Sequence, residues 1–233
     1  MKTVLLTGAG GGIGHALLSA LAADEAYRVI AVTRPPPSAG LQTTPENSER
    51  LIRKTADLSS FAEISGLEAS IARRNIGLDW LVFAHGFIDS ETTLEKQRPE
   101  EIATTFQVNV LSVIHLCQLL LKHVSNGGGI ICVSSTAGLE ANGRYAAYSA
   151  SKAAVNNFMQ GLARNRPALT FFTVCAGPTR TAMLEKIGGD LAGGQDVSAV
   201  TGVMLRIMAG PADYKSGDII VVCDGRVTLA GRL

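Results

Sequence analysis

Short, almost wholly apolar runs recur along the chain and alternate with longer stretches of mixed polarity. Thr3–Thr7, Tyr27–Thr33, Leu51–Ala56, Asp79–Ala84, Ile130–Ser134, Leu169–Cys175 and Asp218–Cys223 each read as a strand. Their hydrophobic positions run on instead of alternating with polar ones, as expected of strands buried on both faces. The intervening patterns predict helices over Gly12–Ala23, Phe61–Arg74, Pro99 to about His123 (one helix or two), Ala146–Arg164 and Val197–Ala209. Strand and helix in alternation imply a parallel sheet covered on both sides, with right-handed crossovers winding it in two directions. The predicted fold class is therefore α/β, a single domain over residues 1–233 with a doubly wound sheet of about seven strands. Pro35-Pro36-Pro37 blocks both helix and sheet, so residues 35–48 are expected to be loop. Gly127-Gly128-Gly129 is expected to turn into the fifth strand, and Gly188-Gly189 with Gly193-Gly194 to mark a mobile segment.

Composition narrows the partners. At 46% hydrophobic residues and a net charge of +1, the chain suits one well-buried core and lacks the charge bias of a nucleic-acid or membrane-surface binder. Cys117, Cys132, Cys175 and Cys223 form no close pair, so they read as buried apolar residues in a reducing compartment, not as a disulfide set or metal ligands. The stretch Val108–Val124 is interrupted by Asn109, Ser112, His115, Gln118 and Lys122, which reads as a buried helix and not a membrane span. The first strand begins at once, with no signal peptide before it, and the expected location is the cytoplasm.

Chemistry first shows in Tyr148-Ser149-Ala150-Ser151-Lys152. In a helix, positions i and i+4 share a face, so Tyr148 and Lys152 lie side by side. A free phenol titrates near ~10. A fixed ammonium beside it stabilises the phenolate and makes the pair a proton donor–acceptor nearer neutral pH. Upstream, Thr7-Gly8-Ala9-Gly10-Gly11-Gly12-Ile13-Gly14 joins the first strand to the first helix, where glycines let backbone approach a pyrophosphate. Ser134-Ser135 ends the fifth strand.

In order and spacing these motifs resemble the short-chain dehydrogenase/reductase family, in its ketoacyl-reductase-like branch, over nearly the whole length. The resemblance implies a Rossmann-like fold and a nicotinamide cofactor. It assigns cofactor contacts to Gly8, Gly10, Gly12, Ile13 and Gly14. Asp57 and Leu58 are expected at the adenine, although Asp57 could simply cap the following helix. Ala84 and Gly86 are expected at the nicotinamide ribose, and Gly177, Thr179 and Thr181 beyond the sixth strand, with Thr181 at the carboxamide. The implied catalytic set is Asn109, Ser135, Tyr148 and Lys152. Ser135 stands 148 − 135 = 13 residues before Tyr148, the family's usual spacing, though Ser134 is adjacent. Tyr148 is the implied general acid/base, Lys152 holds the ribose, Ser135 orients the carbonyl, and Asn109 supports a water chain to the lysine.

Two segments depart from the family. Phe83-Ala84-His85-Gly86 stands where Asn-Asn-Ala-Gly is usual, and Ala176-Gly177 where Pro-Gly is usual. His85 then reads either as a packed strand-end residue or as a neighbour of nicotinamide or substrate. Met183 and Leu184 begin an apolar segment expected to cover the substrate. At the end of the second strand Thr33-Arg34 stands where an acidic residue would select NAD, so NADP(H) is expected over NAD(H), with Arg34 on the phosphate.

These residues predict an NADPH-dependent reductase or reversible dehydrogenase of a ketone or secondary alcohol, possible substrates including 3-ketoacyl and polyketide-type ketones. The alternative is a non-catalytic dinucleotide sensor on the same fold, which the altered Phe83–Gly86 segment favours. Val110–Leu121 and Val155–Leu162 carry apolar residues on more than one face, so a homodimer or homotetramer is expected.

Overall fold

The computed structural model describes residues 1–35, 49–90, 93–140, 143–210 and 213–230. Apart from Pro35, the loop expected over residues 35–48 lies outside them. One eight-stranded sheet runs in the order β3-β2-β1-β4-β5-β6-β7-β8. Its strands are β1 (Lys2–Thr7), β2 (Tyr27–Thr33), β3 (Leu51–Thr55), β4 (Leu78–Phe83), β5 (Val124–Ser135), β6 (Thr170–Ala176), β7 (Ile219–Cys223) and β8 (Arg226–Leu229). All neighbours pair in parallel except β7 with β8. The order reverses between β1 and β4, where Thr7 pairs with Phe83. A crevice opens beyond the strand ends at such a switch point.

The helices are α1 (Gly12–Ala23), α2 (Phe61–Ala72), α3 (Pro99–Phe106), α4 (Ser112–Leu120), α5 (Ala146–Asn165), α6 (Ala182–Lys186) and α7 (Val197–Ala209). Successive side chains of a strand point to opposite faces. Val4 and Leu6 of β1 accordingly pack with Leu17 and Leu21 of α1 and Val203 and Ile207 of α7. Leu5 between them packs with Ile64 of α2, Leu116 of α4 and Val155 of α5. Two cores, one on each face, explain why the strands read as unbroken apolar runs.

Two expectations need correction, and a third that was open is decided. The strand count is eight: β8 is exposed along its whole length and lacks the continuous apolar run of the other strands. It is joined to β7 by Asp224-Gly225, both at positive φ (50° and 72°), the dipeptide that favours a tight hairpin. The glycine run 127–129 lies inside β5, where only Gly127 takes a positive φ and the pairing with β4 shifts register. Pro99–His123 is one continuous helical run, broken in conformation but not in path by a π-turn at Gln107–Leu111. That run is long and apolar enough to cross a membrane, yet Val110, Val113, Leu116, Cys117 and Leu120 are packed into the second core.

Candidate active site

The glycine loop is built to keep side chains out. Gly8 has φ +70°, and a Cβ there would stand 2.6 Å from the backbone of Ala84 and His85. A Cβ on Gly14 would collide with the Gly8 carbonyl, and one on Gly12 with the Thr181 side chain. The loop is thus pressed against both the β4 end and the segment after β6. It leads into α1, whose N-cap Gly11 offers no side chain and whose first turn holds no acid. By contrast Ser60, Thr181 and Asp196 cap α2, α6 and α7 with their own oxygens. The N-terminal N–H groups of α1 are left for an anion.

A cleft of about 1360 Å³ runs from this loop in both directions. At one end lie Thr33, Arg34, Asp57 and Leu58. Asp57 does not cap α2. Its Oδ1 accepts from the N–H (2.9 Å) and hydroxyl (2.7 Å) of Ser59, and its own N–H donates to Glu63 at 2.7 Å. Those two Ser59 bonds first, and more weakly the charge of Arg34, hold its carboxyl below the ordinary value.

At the other end α5 presents Tyr148 and Lys152 to the cleft. Lys152 is 5% exposed, donates to the Val133 carbonyl at 3.2 Å, and holds its Nζ 5.7 Å from the Tyr148 ring centre. The two serines separate by direction. The Ser134 hydroxyl is buried and donates to the Lys152 carbonyl at 3.4 Å, whereas Ser135 is half-buried on the cleft and accepts from Ala137 N–H at 3.2 Å. Asn109 sits in the π-turn, 2% exposed. Its Oδ1 accepts from Phe87 N–H (2.7 Å), and its Nδ2 donates to Phe87 carbonyl (2.9 Å) and Ser151 Oγ (2.9 Å). Ser151 in turn donates to the Tyr148 carbonyl at 2.7 Å. Ser151 was missed from sequence, although it lies inside the Tyr–Lys pentad.

His85 has both ring nitrogens engaged, Nδ1 with Thr7 Oγ1 at 2.6 Å and Nε2 with Ser112 Oγ at 2.7 Å. Burial, with Lys152 nearby, pushes its pKa down to about 3. It lines the cleft, to which it offers a neutral ring with both nitrogens already bonded. Ala84 N–H is likewise taken, by the Thr7 carbonyl at 3.2 Å. Beneath the cleft, burial pushes the Cys132 and Cys175 thiols up to about 12 and about 11, so they pack and do not react.

Beyond β6, Gly177, Thr179 and Thr181 all line the cleft, and the first two are also bonded within the fold. Gly177 N–H donates to Val222 and its carbonyl accepts from Thr179 Oγ1. Thr179 is buried and also accepts from Gln195, so its side chain serves the fold. Thr181 lines the cleft while capping α6. Met183 reaches toward Gly86, and Leu184 packs over Gly189 and Gly194. The segment expected to be mobile carries its own bonds, Gly188 to Glu185, Gly189 to Leu184 and Gln195 to Pro178. Two long cations tie it across the cleft mouth: Lys186 to the Ile88 carbonyl at 3.0 Å and Arg144 to the Ile187 carbonyl at 3.0 Å. Neither tether has a sequence signal, because each joins segments far apart in the chain.

A family model described as short chain dehydrogenase matches residues 2–192. A short chain dehydrogenase/reductase of Aspergillus aculeatus is 29% identical over 215 residues, 90% of this chain and 75% of that one. The benzil reductase ((S)-benzoin forming) of Saccharomyces cerevisiae is 28% identical over 187 residues, 76% of this chain and 70% of that one. A short chain dehydrogenase of Shigella flexneri, solved with NADP, shares the fold with a TM-score of 0.83 at 24% identity, covering 96% of each chain. The family model spans most of the sequence, the sheet order and cleft agree with it, and this chain belongs to the short-chain dehydrogenase/reductase family of oxidoreductases.

Proposed function

We propose that the protein is an NADPH-dependent reductase of neutral, apolar ketones, working reversibly on the corresponding secondary alcohols. The observation that carries this reading is the convergence of Tyr148, Lys152 and Ser135 on one cleft with the side-chain-free glycine loop and Arg34. The cradle fits a pyrophosphate, since Gly8, Gly12 and Gly14 leave backbone where a Cβ would stand. Gly8–Gly14 and the start of α1 would hold the phosphates, Arg34 and Asp57 the adenosine half, and Lys152 with the Ala84–Gly86 backbone the nicotinamide ribose. When bound, the cofactor supplies the hydride that the carbonyl carbon takes up. Ser135 Oγ donates to the carbonyl oxygen and holds its developing charge. Tyr148 Oη delivers the proton to that oxygen as general acid. Lys152 keeps a positive charge beside the phenol and commits one hydrogen to Val133, leaving others for ribose hydroxyls. Asn109 has both Nδ2 hydrogens committed, so its side chain could hold a water leading to Lys152 only as an acceptor, through a remaining Oδ1 lone pair.

The NADP(H) preference over NAD(H) rests on Arg34, with no acid at the β2 end, and a family neighbour was solved with NADP. Phe87, Ile88, Tyr145, Met183, Leu184 and Ile187 line the substrate end and support an apolar substrate, in the vein of a relative named as a benzil reductase. The ketoacyl reading requires the acyl end of its substrate to lie among the same side chains. Four free thiols support the cytoplasmic location. Phe61 and Leu111, 49% and 42% exposed, support the homodimer or homotetramer, which light scattering at micromolar concentration tests. The altered Phe83–Gly86 segment favours the alternative, a dinucleotide sensor. The deciding experiment is a ketone panel with NADPH and with NADH, followed at the nicotinamide absorbance. Turnover of neutral aryl and alkyl ketones with NADPH is expected; tight cofactor binding without turnover on any ketone would favour the sensor.

A further inference from the structure

His85 does more than fill space. The ring and its two hydroxyl partners draw on three protons, the Thr7 hydroxyl, the Ser112 hydroxyl and one ring N–H, and the ring also faces the Val108 carbonyl. Thr7 Oγ1 stands 3.3 Å from the Val82 carbonyl and 2.6 Å from Nδ1, while Ser112 Oγ stands 2.7 Å from Nε2 and 2.6 Å from the Val108 carbonyl. A hydroxyl oxygen at 2.6 Å from a carbonyl must donate to it. Ser112 therefore accepts from the ring, Nε2 carries the proton, and Nδ1 accepts from Thr7. The 3.3 Å contact is the one left without a proton. The tautomer is thus assigned by the network.

The partner on the far side is the π-turn. Ser112 N–H reaches Gln107, and Ser112 Oγ covers the Val108 carbonyl. The extra residue of a π-turn swings the intervening side chains, and Asn109 lies within it, clamped to both backbone groups of Phe87. His85 is two residues before Phe87, so it ties the start of this loop to the turn that grips its end.

We propose that His85 is a positioning residue: as the Nε2–H tautomer it links Thr7 at the end of β1 to Ser112, and so sets the π-turn that presents Asn109 to Phe87 and Ser151. Its effect on rate rests on the reductase reading above; its effect on the turn does not. The test compares His85→Leu, which loses both bonds, with His85→Gln, whose amide nitrogen can replace Nε2–H. In the leucine variant kcat should fall at least about 10-fold while the ketone KM stays within about 3-fold. The glutamine variant should recover most of that loss. Adding Ser112→Ala to His85→Leu should lower kcat no further. Independently of substrate and cofactor, hydrogen exchange at the Phe87 amide should accelerate in the leucine variant and stay protected in the glutamine one. Should the leucine variant not fold, His85→Gln is set against His85→Asn, which can keep only the Thr7 bond; glutamine should retain the greater kcat and Phe87 protection. Equal behaviour of leucine and glutamine, an asparagine variant as good as glutamine, a KM that rises as far as kcat falls, or an unchanged Phe87 amide in the leucine variant would each overturn the proposal. Wild-type turnover in Tyr148→Phe would instead remove the reductase reading and leave the exchange result standing.

Discussion

Lys152 is 5% exposed and Ser151 fully buried on the floor of the cleft, whereas Met183 and Leu191 on its lid are 38% and 37% exposed. The floor is held by short bonds among buried and half-buried partners, Asn109 to Phe87 and Ser151, and His85 to Thr7 and Ser112. The lid, from Pro178 to Asp196, has its base in the buried Thr179–Gln195 bridge, with the exposed Arg180–Asp196 ion pair beside it. Its tip depends on Lys186 and Arg144. In the proposed reading the chemistry rests on these enclosed bonds, and substrate access on tethers that water can replace. A buried group left unsatisfied is strongly disfavoured, while an exposed bond exchanges with solvent at little net change. Changes to the floor should therefore act on kcat, and changes to the lid on KM.

The sharpest separation is expected from Tyr148→Phe. It removes the proton donor without touching the glycine loop, so kcat should drop about 10²- to 10⁴-fold while cofactor Kd by fluorescence titration stays within a few-fold. Next in size is Arg34→Ala, which acts on neither floor nor lid. It should lower the NADPH-to-NADH ratio of kcat/KM by roughly 10- to 150-fold, the worth of a hydrogen bond to a charged group. An unchanged ratio would mean that Arg34 is not the phosphate reader.

The buried floor should also reveal itself in acid. An unfolded His titrates near ~6.5, and His85 in the fold is pushed down to about 3. Between those values the unfolded chain binds one more proton, so stability rises with pH and is lost as pH falls from about 6.5 toward 3. Urea midpoints at pH 7 and pH 5 should show a loss of roughly 1 kcal/mol per pH unit in wild type that His85→Gln lacks. The smallest effect belongs to the lid. Lys186→Met keeps a stem over Phe87, where Nζ now lies 4.8 Å from the ring centre, and removes the bond to Ile88. Ketone KM should rise about 2- to 12-fold with kcat and thermal midpoint nearly unchanged. A fall in kcat of the same size would mean that the lid shapes the reacting geometry itself.

Much of this was readable from local pattern. The seven parallel strands announce themselves because both faces of the sheet are covered, and the glycine loop and the Tyr148–Lys152 pair because their spacing acts within one turn or one helix. β8 escaped because four exposed residues with only Val227 and Leu229 apolar make no continuous run, although Asp224-Gly225 was the available clue. The π-turn left no mark at Gln107–Leu111, since its one extra residue alters helical periodicity too little to see.

By itself the sequence determined the layered α/β fold, the glycine cradle and the side-by-side placement of Tyr148 and Lys152, because periodicity and short-range spacing depend on nearest neighbours along the chain. Only the tertiary structure decided that Ser134 faces α5 while Ser135 faces the cleft, that Thr179 turns inward, and that His85 is a neutral strut between Thr7 and Ser112. Those outcomes turn on which partners meet across separations such as 78 and 27 residues, and on a single proton's choice of nitrogen among them. Chain order carries no record of either.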